Sequence, residues 1–124
     1  MLTNNLFFLS FLYSTIYAHN IIEYYLSTCL ICTYICSECF WTNPIKNSLI
    51  HIVDSRVAKT SIISFIIYTI YKTTYRSYYI VLFFIFLFAR LSDYFSKDWC
   101  CPIHIFFHSV FHIFCFIGIF YAYL

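Results

Sequence analysis

Charge is what this sequence has least of. Only 10% of its residues are Asp, Glu, Lys or Arg, whereas a water-soluble surface ordinarily needs about a quarter. Hydrophobic residues make up 63% and the mean hydropathy is +0.82, so lipid is the solvent that tolerates such a chain. Glycine occurs once and proline twice, which leaves no material for a glycine-rich phosphate cradle or a dinucleotide-binding turn. A Ser-His-Asp order of the hydrolase kind is also missing. The net charge of +2 comes without any basic run, and nucleic-acid binding is excluded on that ground. Seven cysteines are an odd number, Cys100 and Cys101 are adjacent and most of the rest lie in apolar stretches, so no disulfide framework is indicated. The first twenty residues lack the positive start and small-residue cleavage site of a secretory signal and read as a retained span.

What is present is a series of apolar stretches parted by short polar ones. A helix needs roughly 20 apolar residues to cross a hydrocarbon core of about 30 Å. The charge intervals then predict an all-α, polytopic transmembrane bundle of about five helices in a single domain, with spans at residues 2–22, 24–41, 49–71, 78–94 and 102–124. The first boundary is a turn near His19, Asn20 and Glu23, unmarked by glycine or proline. The second is the loop at Thr42, Asn43, Pro44 and Lys46, where Asn-Pro disfavours helix before the proline. Pro102 opens the fifth span. Lys46, Arg56, Lys59, Arg90 and Lys97 fall on the side of the second and fourth loops, against Lys72 and Arg76 opposite, which predicts a cytoplasmic N-terminus. Arg90 and Asp93 are expected to neutralise each other. The protein is therefore expected to be integral to a membrane and multi-pass.

Ionisable residues inside such spans are costly and mark function by default. His104, His108 and His112 recur every four residues and form one imidazole stripe, since each residue turns the helix by about 100°. Two of them can hold one metal ion from one helix turn. His104 and His112 lie about 12 Å apart along the axis, so the third stands beside the pair or at its approach. The bland alternative is three histidines hydrogen-bonded across helices. His51 and Asp54 share a face of the third helix, with Arg56 and Lys59 pointing elsewhere and snorkelling. Asp54 has its own bland readings: it neutralises Arg56 or Lys59, or caps the helix. The third and fifth helices run parallel and carry these groups at matching depth. The second helix ends on the same side, bringing Ser37, Glu38 and Trp41 near.

Here the sequence resembles the alkaline ceramidases and the progestin/adiponectin receptor proteins, grouped as the CREST superfamily of membrane hydrolases. That family carries Ser-x-x-x-His, then an Asp at the next helix, then His-x-x-x-His in the last span. His108-Ser109-Val110-Phe111-His112, followed by Gly118, is similar to the last motif, and Asp54 stands where the Asp is expected. The resemblance implies zinc as cofactor, with His108 and His112 as ligands and Asp54 and Ser37 as catalytic groups, and a lipid amide as substrate. Ser37-Glu38-Cys39-Phe40-Trp41 has the serine, but Trp41 takes the place of the third ligand. His51 is the substitute candidate, and His104 and Glu38 lie beside the ligands or at the approach. The family has seven spans, and this chain has room for about five.

The competing expectation is a noncatalytic bundle, whose His, Ser and Cys stripes pack helices within the chain, within a homo-oligomer or against a partner membrane protein. Cys29, Cys32, Cys36 and Cys39 lie along one side of the second helix and are too spread out for one four-thiolate site. They are expected to let helices approach closely. Proton or ion conduction along the His stripe lacks any supporting repeat or filter motif.

The topology is checked by single cysteines at Asn47, Thr73 and Lys97, each in a background without the native thiols. A membrane-impermeant reagent applied from the cytoplasmic side is expected to label positions 47 and 97 and to miss 73. Equal labelling of all three refutes the assignment.

Overall fold

The computed structural model describes residues 2–124. The elements among them are helical, with no strand: a short 3-10 turn (Leu2–Asn4) precedes α1 (Asn5–Tyr17), α2 (Ile21–Thr42), α3 (Leu49–Lys72), α4 (Ser77–Phe95) and α5 (Pro102–Tyr121). Two of these helices, α4 and α5, are long and apolar enough to cross a membrane. The first helix is shorter than the charge intervals predict: α1 has 13 residues, about 20 Å of helix. α2 and α3 have the length but carry more polar and charged side chains.

Three of the five helices begin with the same device. The N-cap side chain accepts the backbone N–H of the third helical residue, and that residue's side chain reaches back to the N–H just before the cap, a variant of the capping box shifted by one residue. At α2 these are Asn20 and Glu23, at 2.9 Å, with His19 N–H donating to Glu23 at 2.7 Å. At α3 they are Ser48 and His51, at 3.3 Å, with Asn47 N–H donating to His51 Nδ1 at 2.9 Å. At α5 they are Cys101 and His104, at 3.4 Å, with Cys100 N–H donating to His104 Nδ1 at 3.3 Å. Asn47 and Cys100 both adopt positive φ, 61° and 57°, a conformation that suits asparagine and strains cysteine.

Round the bundle the order is α3, α2, α1, α5, α4. Neighbours in this ring pack together except for one pair: no Cα of α3 lies within 8 Å of a Cα of α4. Gly118, the only glycine, lets α5 close on α4, because a Cβ there would sit 3.1 Å from Ile85 Cδ1. Phe7, Leu26, Leu30, Phe65, Ile85, Cys115 and Ile119 form the apolar core.

The polarity of this bundle is inverted relative to a water-soluble one. Asn4, Ser10, Ser14, Glu23, Ser27, Thr33, Ser37, Ser61, Thr69 and Ser92 are buried, while Ile16, Ile22, Ile63, Ile67, Phe83, Phe86 and Phe106 are exposed. Buried hydroxyls find each other across helices: Ser14 and Ser27 at 2.7 Å, Thr33 and Ser61 at 2.7 Å. The packing face of α2 is thus Ser27, Leu30, Thr33, Ser37 and Phe40. The cysteine stripe expected to fill that role does not: Cys32 and Cys39 are exposed, and Cys29 and Cys36 half-buried.

Among the described residues a single ion pair forms, between Lys72 and Glu23 at 2.8 Å. Arg90 and Asp93, expected to neutralise each other, do not pair, because α4 leaves both exposed. The Glu23 carboxylate is 1% exposed and also accepts from Tyr68 at 2.7 Å. The Lys72 ammonium donates further to the Ala122 carbonyl at 2.9 Å, so one cluster ties α2, α3 and the chain beyond α5 at the end away from the second and fourth loops. Removing one partner of such a pair leaves the other buried and uncompensated, at a cost of about 3 kcal/mol. Lys72→Met is accordingly expected to lower stability by about that amount in thermal unfolding of the detergent-solubilised protein, and the added change Glu23→Gln to recover part of it. An unchanged midpoint in Lys72→Met would show that the cluster contributes nothing.

Candidate functional site

The N-terminal turn and the second and fourth loops gather at one end of the bundle, as the connectivity requires. Trp99 Nε1 donates to the Pro44 carbonyl at 3.1 Å, and Lys46 donates to the Ser96 carbonyl at 3.0 Å while lying over the Trp99 ring. Below these loops a cavity of about 730 Å³ opens between α2, α3, α4 and α5. That volume lies within the range of small-molecule sites.

Most of the side chains singled out in the sequence line this cavity: Ser37, Trp41, His51, Asp54, His104, His108 and His112. Glu38 is the exception. It accepts a hydrogen bond from Asn4 Nδ2 at 3.0 Å and so joins α2 to the N-terminal turn. Ser37 donates to Asp54 Oδ1 at 2.7 Å, pairing the two groups the sequence marks as catalytic candidates across the α2–α3 contact. Asp54 neither neutralises Arg56 or Lys59 nor caps α3; Ser37 is its partner and Ser48 is the cap. Lys59 corrects the expectation that it points elsewhere, for it too lines the cavity, whereas Arg56 is not among its walls.

The histidines divide into two kinds. His51 and His104 have their Nδ1 lone pairs occupied by backbone N–H groups in the capping boxes. A neutral ring that accepts at Nδ1 carries its proton on Nε2, so neither ring offers a lone pair in this conformation. Both are held further by aromatic contact, His51 stacked on Phe40 at 4.9 Å and His104 against Trp99 at 5.1 Å between ring centroids.

His108 and His112 are different. Their rings lie 4.6 Å apart, and each Nδ1 has a hydroxyl partner, Ser92 at 3.1 Å for His108 and Thr3 at 3.1 Å for His112. A hydroxyl at Nδ1 fixes each ring, and where that nitrogen is the donor the second nitrogen keeps its lone pair, as in metal-binding histidines. Trp41 packs beside them, its ring 5.7 Å from that of His108. Among the described residues, no group of three or more His, Cys, Asp or Glu side chains is arranged to hold a metal ion. The available imidazoles form a pair. In the fourth loop, burial and the neighbouring Cys101 push the Cys100 thiol up.

Sequence reasoning passed over Thr3, Asn4 and Ser92. Asn4 is fully buried and its amide oxygen has no partner, and nothing in a run of two asparagines near the chain start reveals that this turn tucks under α5. Ser92 is legible in hindsight only as a small polar residue on the buried face of α4. The chain matches no family model, no curated protein and no solved structure.

Proposed function

We propose that this chain is a five-span integral membrane protein that takes a lipid into its interior cavity and binds it without catalysis. The observation that carries the reading is the open seam between α3 and α4. Every other neighbouring pair of helices packs closely, and this one leaves the cavity accessible from the side, where a bilayer would lie. The inverted polarity supports the membrane assignment: a lipid solvent leaves buried hydroxyls to pair with each other and accepts exposed isoleucine and phenylalanine. In this reading α1 crosses together with the preceding 3-10 turn and with local thinning of the bilayer, at modest cost per ångström of mismatch. Bound lipid would set its acyl chain in the seam and its polar part beside Ser37, Asp54 and the His108–His112 pair.

A second reading is favoured by that polar set itself. Ser37 on Asp54 and two imidazoles in the same cavity are what the resemblance to the ceramidase and progestin/adiponectin receptor superfamily implies for a zinc hydrolase acting on a lipid amide. Zinc there would lower the pKa of bound water toward about 7. His108 and His112 fit two of its ligand positions. The third position falls to Trp41, and His51 is held in its capping box, so the donor set stops at two histidines.

Two measurements separate these readings. A phospholipid with a photoactivatable acyl chain is expected to label Ile62, Ile66 and Phe86 in the seam; labelling confined to Ile67 and Phe83 would refute the cavity reading. Metal analysis of the purified protein is expected to find no stoichiometric zinc in the native chain and about one per chain in Trp41→His, where a third imidazole joins His108 and His112. Zinc near one per chain in the native protein, lost in His108→Ala, would establish the hydrolase-type centre instead.

A further inference from the structure

Resting on the lipid-binding reading, we infer that the seam between α3 and α4 selects lipids with an anionic phosphate headgroup, held between Lys59 on α3 and Arg90 on α4. Lys59 lies ten residues past Leu49 and thirteen before Lys72, about 15 Å into a helix of about 36 Å. A charged side chain in the middle of a span is costly and ordinarily faces a partner or a water-filled space. Yet neither Lys59 nor Arg90 forms an ion pair among the described residues, and both are exposed along the walls of the cavity. They reach it from the two helices that fail to touch. The other charged groups on these walls are Lys46, a third cation, and two carboxylates, Asp54, which accepts from Ser37, and Asp93, one turn beyond Arg90, so the cations exceed the carboxylates by one. Beyond these cations along each helix the walls carry apolar side chains, Ile62, Ile63 and Ile66 on α3 and Phe86 and Ala89 on α4. Cations above an apolar slot match a phosphate joined to an acyl chain. Arg is suited to grip phosphate oxygens in pairs, and Lys supplies a point charge.

The only two tryptophans of the chain, Trp41 and Trp99, both line this cavity and report on its occupant. Phosphatidic acid and phosphatidylcholine with brominated acyl chains quench tryptophan on contact and can be titrated into the detergent-solubilised full chain. Phosphatidic acid is expected to quench at a concentration about 10- to 30-fold lower than phosphatidylcholine, the preference two cations provide. Lys59→Gln with Arg90→Gln is expected to abolish the preference, and Ala89→Phe, which fills the slot, to abolish quenching by both lipids. Excess inorganic phosphate is expected not to compete; full competition would show a site for free phosphate and overturn the lipid assignment. Equal quenching by the two lipids that Ala89→Phe removes would leave the cavity reading standing and refute the headgroup selection. No cavity-dependent quenching by either lipid would remove both.

Discussion

Hydrogen bonding between side chains of neighbouring helices is the constraint on which this bundle depends. Its exterior is isoleucine, leucine, phenylalanine and tyrosine, so burial of apolar surface cannot by itself choose one helix arrangement over another. The choice falls to buried polar groups, most of which find a partner within the protein. Ser14 with Ser27 fastens α1 to α2, and Thr33 with Ser61 and Ser37 with Asp54 fasten α2 to α3. His108 with Ser92 fastens α5 to α4. Each such contact contributes only about 0.6 kcal/mol, but their geometry admits one register. The Lys72–Glu23 cluster closes the far end.

The same rule explains why the candidate site looks half functional. A ligand histidine and a packing histidine both need one ring nitrogen held by a neighbour, and His108 and His112 meet that requirement through Ser92 and Thr3. What separates the two roles is a third donor at the right place, and the residue packed there is Trp41. An indole can donate through its N–H but has no lone pair to offer a metal. The polar end of the cavity is thereby suited to hydrogen-bond an occupant, with Asp54 and two imidazoles as its groups.

The unpacked seam is the counterpart of these fastenings. α3 and α4 follow each other in the chain, and a tight pair would be the ordinary result of so short a connection. Instead α3 is drawn to α2 by the serine and threonine contacts. α4 is drawn to α5 by Gly118 and a run of stacked phenylalanines, among them Phe84 and Phe88 on Phe114. With both helices committed to partners on opposite sides, the cavity between them stays open. Lys59 and Arg90 then occupy its edges.

The sequence by itself determined the helical segments, because charge intervals and the prolines at 44 and 102 interrupt the apolar stretches there. Alternating helix directions and similar depths also put Ser37, Asp54, His108 and His112 toward one end, which permits their contact. The Asn20 and Glu23 capping box could have been read as well, from the spacing of a cap residue and an acid three positions on. Only the tertiary structure decided which of two stripes packs on α2. Ser27, Leu30, Thr33, Ser37 and Phe40 share one helical period with Cys29, Cys32, Cys36 and Cys39. At about 100° per residue the centres of the two stripes lie only roughly 110° apart, and both carry small side chains. It alone decided that His51 and His104 serve the helix starts, for that depends on backbone N–H groups turned inward by the loop conformations at Asn47 and Cys100. And it alone decided that α3 and α4 stand apart, because periodicity describes each helix separately and carries no record of which neighbour wins it.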